Sequence, residues 1–238
     1  MENKYGNSFC LILALWAAGL CAAAQFAKVS LIFPELMKLY PDAGPTAGFL
    51  VSLPSLLGIA IALTTGIIVA RFGYRSLLLS GLILDAVISA HQATLPPFTL
   101  MLASRLLEGA SHPIVAVVAS TLIAHVSPDR YRAQAMTLWG TFFGVAFALV
   151  AWFGLPLARA QGLACLIAVH ALAIALVAIL LFLILPRGET CVQRYLGTHL
   201  TQHPAKAYRH LPVGLSGSTC YGMAFLYPEH CVSHHHAL

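Results

Sequence analysis

The stretch TLMLASRLLEGASHPIVAVVASTLIAH, residues 99–125, is an apolar run long enough to cross a bilayer, yet it carries Arg105 and Glu108 well inside it. An ionised side chain at the centre of a membrane helix costs about 2.5 to 3.5 kcal/mol on insertion scales, so such residues face protein or a watery cavity rather than lipid. Arg105 and Glu108 are spaced i, i+3, and His112 follows Glu108 at i+4, so all three project from one helix face. We therefore expect other helices to surround this face and to supply partners for the guanidinium and the carboxylate.

The composition is that of a multi-span membrane protein. Of the 238 residues, 59% are hydrophobic and only 9% are charged, and the mean hydropathy is +0.83. Soluble globular domains carry about a quarter charged residues. The net charge of +5 does not indicate nucleic-acid binding, because the cations lie in short connectors rather than in a basic patch interleaved with aromatic residues.

Six apolar runs have about the 20 residues that an α-helix needs to cross a bilayer. They cover residues 9–33, 46–70, 76–95, 99–125, 136–157 and 162–185. The first run is longer than the apolar segment of a signal peptide, so we expect an uncleaved span. The sequence thus predicts an all-α membrane domain of six spans over residues 1–186, followed by a polar, poorly ordered cytoplasmic tail over residues 187–238.

Polar residues inside the other spans have two interpretations each. Lys28 lies towards the end of the first span, where we expect its ammonium to snorkel to the interface, the alternative being contact with a substrate. Gln25 is equally compatible with packing and with a transport pathway. His170 stands alone in the sixth span and is expected to be a hydrogen-bonded packing residue.

The Lys and Arg residues of the connectors predict the orientation. One side holds nine of them and the other holds three, namely Lys28, Lys38 and Arg159. Cytoplasmic loops carry the excess of positive residues. We therefore predict a multi-pass protein of the cell inner membrane with both termini in the cytoplasm.

The connector between the second and third spans, GIIVARFGYRSLL (residues 66–78), resembles the loop signature G-x-L-a-D-r-x-G-r-k of the major facilitator superfamily, with Gly66, Arg71, Gly73 and Arg75 in register. Gly73 permits a tight turn between antiparallel helices. The resemblance implies that this loop latches one half of the transporter to the other. The aspartate of the signature is Ala70 here, so the latch is weakened or is rebuilt with another acid. Asp85 lies too far up the third span to replace it.

The fourth span is similar to a second signature of the same family, R-x-x-x-G, through Arg105 and Gly109. The resemblance implies that the arginine assists proton transfer or binds an anionic substrate, with Glu108 as the proton carrier. A structural ion pair between helices is the alternative, and Asp85 is a candidate partner for Arg105. The connector SPDRYRAQAM, residues 127–136, looks like the equivalent loop of a second three-helix repeat. Two such inverted repeats bind substrate near the midplane between them.

We therefore predict an N-terminal, six-helix bundle like that of a major facilitator transporter, moving a small molecule by alternating access with protons as candidate coupling ions. The predicted substrate and proton pathway comprises Arg105, Glu108, His112, Gln25 and Asp85. The resemblance covers about residues 9–190, so the chain is expected to be a truncated half or to pair with a second six-helix half or a second copy of itself.

Two other classes of function remain as alternatives. In the first alternative, the chain is a membrane scaffold or an inactive fragment. In the second, it is an intramembrane enzyme that binds a metal through Glu108 and His112, although no second ligand pair is evident. We predict no cofactor and no metal site. His230, Cys231 and His234–His236 lack the spacing of a metal-binding framework.

Overall fold

The computed structural model describes residues 2–185, apart from the side chains of residues 2–8, 60, 62, 63, 66, 67, 70 and 71. Every regular element in this described range is helical. The elements are α1 (Glu2–Leu31), α2 (Phe33–Leu39), a 3-10 segment (Pro41–Gly48), α3 (Phe49–Phe72), α4 (Tyr74–Ala93), α5 (Phe98–Val126), α6 (Asp129–Gly140), α7 (Phe142–Leu149), a π-helical turn (Val150–Gly154), α8 (Leu155–Gln161) and α9 (Leu163–Ile184).

Five segments within residues 2–185 are long and apolar enough to cross a membrane. They are Phe9–Leu31, Tyr74–Ala93, Phe98–Val126, Asp129–Gln161 and Leu163–Ile184. The all-α membrane fold expected from the hydropathy is thereby confirmed. Helix α3 coincides with the predicted second span but is not among the five, so the count of six spans remains a prediction.

Two glycines with positive φ each form a one-residue turn between consecutive helices, Gly73 between α3 and α4 and Gly162 between α8 and α9. Gly73 has φ +82° and Gly162 has φ +90°, a left-handed region that residues with a Cβ rarely adopt. The Gly73 N–H donates to the Val69 carbonyl at 2.8 Å and ends α3, and α4 begins at the next residue. The tight turn predicted at Gly73 is therefore confirmed.

The predicted fifth span is interrupted rather than uniform. Asp129–Gln161 forms one helical run that breaks at Thr141 and widens into the π-helical turn Val150–Gly154. π-turns inside α-helices are rare and frequently lie at functional sites. Here the turn packs beside α9, where Gly154 faces Leu166.

Helix α5 lies at the centre of the bundle and packs against α1, α3 and α4, while α9 packs against α4 and α1. Two clusters of buried apolar side chains hold these helices together, one towards each end of the bundle. In α5, for example, Met101 belongs to one cluster and Val115 to the other. The residues between them are largely polar and buried, and they form the site described next.

Large apolar side chains also cover the outer surface of the bundle. Trp152 is 78% exposed, Leu183 is 72% exposed and Leu56 is 69% exposed. A water-soluble protein of this size rarely leaves so many such side chains in contact with solvent. This surface is suited to lipid.

Candidate functional site

A layer of polar side chains crosses the bundle between the two apolar clusters. We call it the polar layer, and it comprises the buried Gln25, Lys28, Asp85, Ser89, Gln92, Ser104, Arg105, Glu108 and Ser111 together with the half-buried His170. Four of these carry formal charges, namely Lys28, Asp85, Arg105 and Glu108, and we call them the charge cluster. They come from α1, α4 and α5, so the cluster forms only when these helices pack together.

Glu108 is the centre of the charge cluster. Its Oε2 accepts a hydrogen bond from Arg105 Nη1 and a second from Gln92 Nε2 at 3.0 Å. Its Oε1 forms an ion pair with Lys28 Nζ at 3.4 Å, and all three charged side chains are 1% exposed. One buried carboxylate therefore faces two cations and an amide donor.

Lys28 does not snorkel to the interface, so that expectation was wrong. Its ammonium donates to Ser89 Oγ at 2.7 Å, lies 3.3 Å from His170 Nδ1 and forms an ion pair with Glu108 Oε1 at 3.4 Å. The polar groups of α4, α5 and α9 offer this ammonium a complete set of partners inside the bundle, so it has no need to reach water.

Arg105 joins α5 to α3 and α1. Its Nε donates to the Leu50 carbonyl at 2.8 Å, and its Nη1 lies 3.4 Å from the Gln25 carbonyl. The Leu50 carbonyl is open to this bond because residue 54, its usual helical partner, is Pro54, which has no N–H. Arg105 and Glu108 thus have the interhelical partners expected of them, but they lie inside the bundle instead of lining an open cavity.

Asp85 pairs with Ser111 and not with Arg105, so the suggested Asp85–Arg105 pair was wrong. Ser111 Oγ lies 2.5 Å from Asp85 Oδ1, and Asp85 is 0% exposed. The Gln25 amide lies beside this carboxylate. Among the described residues, neither Asp85 Oδ2 nor either polar atom of the Gln25 amide has a hydrogen-bond partner.

His112 lies apart from the polar layer although it was expected on the same face as Glu108. Its Nδ1 is 3.1 Å from the Ala22 carbonyl. Its ring packs against Phe26 of α1, with centroids 4.8 Å apart, and against Phe143 of α7 at 6.4 Å. His112 therefore belongs to an aromatic group between α1, α5 and α7.

His170 belongs to the polar layer, where the sequence predicted only a packing role. Its Nδ1 faces the Lys28 ammonium, a donor, so Nδ1 is the acceptor and Nε2–H donates to the Cys21 carbonyl at 3.0 Å. The imidazole is thereby assigned as neutral. His170 is hydrogen-bonded, as expected, but its partner is the buried cation Lys28. Nothing in the sequence around His170 indicates this contact.

A crevice reaches the polar layer from the outer surface of the bundle. It has a volume of about 210 Å³ and is open on one side. Apolar side chains of α7, the π-helical turn, α8 and α9 form its walls, and Lys28 and His170 line it as well.

The model of the major facilitator superfamily matches residues 15–228 of this sequence. The chain belongs to the major facilitator superfamily. It is similar to the niacin transporter NiaP of Acinetobacter baylyi, with 28% identity over 149 residues, or 60% of this chain and 34% of the relative. The chain thus aligns with about a third of that transporter's length.

Membership of this family, together with the apolar helices, shows that the protein is a multi-pass membrane protein of a transporter family. The match also corrects one expectation. It extends to residue 228, whereas the resemblance was expected to stop near residue 190.

The loop signature of the superfamily packs against the end of α9. Arg75 Nη2 donates to the Phe182 carbonyl at 2.7 Å, and its guanidinium lies over the Phe182 ring at 5.1 Å. A cation is favoured there because the last carbonyls of a helix have no partners within it. Gly66 and Arg71 lie in α3, and the Arg71 side chain is outside the described set, so the latch to a second half stays a prediction.

Two further predictions concern metal binding and the polar tail. Within residues 2–185, no group of three His, Cys, Asp or Glu side chains is arranged to hold a metal ion. The predicted polar tail, including His230, Cys231 and His234–His236, lies outside the described residues.

Proposed function

We propose that this chain transports a small organic carboxylate across the membrane, together with protons, by alternating access. The observation that carries the proposal is the convergence of Lys28 and Arg105 on the single carboxylate of Glu108 in the middle of the bundle. Two cations therefore flank one carboxylate at this point of the bundle. Burying a charged residue inside a membrane domain costs free energy, and such residues generally mark substrate and ion pathways.

The relative indicates which carboxylate to test. It is named a niacin transporter, and niacin is a small aromatic carboxylic acid. The charge cluster supplies cations for the carboxylate, and the neighbouring ring group of Phe26, His112 and Phe143 supplies aromatic surface. We propose niacin or a similar aromatic carboxylate as the substrate class.

The test is uptake of radiolabelled niacin into proteoliposomes that contain the full chain, with the lumen made alkaline. We expect uptake above that of protein-free vesicles, and we expect Arg105→Ala and Glu108→Gln to abolish it without preventing membrane insertion. Arg159→Ala is the matched control, since Arg159 is exposed at the end of α8. Undiminished uptake in both cluster variants would refute the role of the charge cluster.

We further propose that a complete pathway needs a second six-helix half. In proteins built from repeats, the substrate site lies at the interface between them, and the alignment covers only 34% of the relative. Light scattering of the detergent-solubilised chain tests for a dimer. A monomer that binds no further half and shows no exchange of labelled for unlabelled niacin would favour the inactive-fragment alternative.

We propose an inner-membrane location with both termini in the cytoplasm. Since Lys28 is inside the bundle, the connector count becomes nine Lys and Arg residues on one side and two, Lys38 and Arg159, on the other. Fusions of a cytoplasm-active and a periplasm-active reporter to the C-terminus test this orientation. Activity of the periplasmic reporter alone would invert it.

A further inference from the structure

We propose that Asp85, rather than Glu108, is the residue that takes up and releases the coupling proton. The inference rests on the proposed proton-coupled transport. It departs from the expectation that Glu108 is the proton carrier. The two buried carboxylates differ in their hydrogen-bond partners.

Glu108 is surrounded by groups that only donate in their present positions. Arg105 and the Gln92 amide N–H donate to Oε2, and the Lys28 ammonium faces Oε1 at 3.4 Å. A proton on Glu108 would leave two buried cations facing a neutral group. None of these three groups, as they are placed, accepts a hydrogen bond from Glu108.

Asp85 has no cation of its own. Its Oδ1 is hydrogen-bonded to Ser111 Oγ, and among the described residues Oδ2 has no hydrogen-bond partner although the side chain is 0% exposed. The other titratable or charged groups that face it are Lys28 and Cys21 on α1 and Glu108 on α5. Lys28 already has three acceptors, while the negative charge of Glu108 disfavours a second ionised carboxylate nearby.

Both neighbours of Asp85 can switch between donating and accepting. Ser111 Oγ lies 2.5 Å from Asp85 Oδ1 and 2.9 Å from the Glu108 carbonyl, and a hydroxyl has one hydrogen. It donates to an ionised Asp85, or it accepts from a protonated Asp85 and donates to the carbonyl. The Gln25 amide lies beside the carboxylate and can make the same choice, with its N–H₂ for the carboxylate and its oxygen for the acid.

This arrangement links the proton to the substrate through charge. The charge cluster has two cations and two carboxylates, which sum to zero when all four are ionised. A proton on Asp85 Oδ2 forms one O–H bond and makes the cluster +1, which favours entry of an anionic carboxylate. Loss of that proton returns the sum to zero and favours release. One proton and one monovalent anion then cross together.

The first experiment is infrared spectroscopy of the purified full chain at neutral pH, comparing wild type with Asp85→Asn. We expect the C=O stretching band of a protonated carboxyl group in wild type and its loss in Asp85→Asn. Asp42→Asn, an exposed position, is the matched control and retains the band. Absence of the band in wild type, or its persistence in Asp85→Asn, would overturn the assignment.

The second experiment measures niacin movement in proteoliposomes after subtraction of protein-free vesicles. We expect Asp85→Asn to keep exchange of labelled for unlabelled niacin while the stimulation by a pH gradient falls to a ratio of 1. Stimulation that persists in Asp85→Asn would overturn the proposal. If the wild type shows no exchange, the proposed function fails, and the infrared bands still decide where the proton lies.

Discussion

Replacing Gly109 by alanine should loosen the contact between α3 and α5 that positions Arg105. A Cβ at residue 109 would lie 2.5 Å from the Pro54 carbonyl oxygen and 2.8 Å from Pro54 Cα. Both atoms belong to the α3 backbone, so no side-chain rotation relieves the overlap and the helix must move. Such a movement also shifts the Leu50 carbonyl, one turn earlier, away from the Arg105 guanidinium that donates to it.

The expected magnitude follows from two opposing terms. Overpacking a well-packed contact costs about 1 to 3 kcal/mol, whereas Gly to Ala in a helix interior gains about 0.8 to 1 kcal/mol in propensity. Gly144→Ala supplies the propensity term alone, because nothing lies within 4 Å of a Cβ at that position. The difference in unfolding free energy between the two variants therefore isolates the packing cost of about 1 to 3 kcal/mol.

Thermal unfolding of the full chain in detergent measures this difference. The melting temperature shifts by roughly 2 to 4 °C for each kcal/mol in a protein of this size. We expect Gly109→Ala to unfold at a lower temperature than Gly144→Ala and to lose niacin uptake as well. Equal unfolding temperatures for the two variants would refute the close approach of α3 and α5 at Gly109.

Four further substitutions test the contacts of the charge cluster and the loop. Lys28→Met removes the ammonium that contacts Glu108, Ser89 and His170 and should destabilise the protein by about 3 to 5 kcal/mol. Thermal unfolding against the exposed control Lys38→Met measures this effect, and equal melting of both would place Lys28 at the interface after all. Arg105→Ala and Glu108→Gln should both abolish uptake, and normal uptake in either would show that its ion pair is not needed. Arg75→Ala should cost about 0.3 to 1 kcal/mol by removing a cation from the end of α9, seen as a small fall in melting temperature, and a rise would contradict the capping contact.

Some parts of the site were predictable because they depend on local spacing. Arg105 and Glu108 are three residues apart on one helix, so their pairing follows from helix geometry alone. The turn at Gly73 follows from the conformational freedom of glycine. Burial of both charges follows from the cost of exposing them to lipid.

Other parts depend on which helices are neighbours and at what height. Lys28 meets Glu108 because α1 and α5 pack with residues 80 positions apart at the same level. His170 reaches Lys28 from α9, 142 positions away. No spacing within one span carries this information, so the prediction for Lys28 was wrong and the contact of His170 with the cation was missed.

The sequence by itself determined that this is an all-helical membrane protein with charges held inside it, because lipid tolerates only internally satisfied backbone and penalises lone charges. Its motifs also determined the family. Only the tertiary structure decided how the charges are shared, with Glu108 between two cations and Asp85 beside groups that both donate and accept. That division depends on the packing of four helices, since hydrogen-bond partners are set by distances between atoms that are remote along the chain.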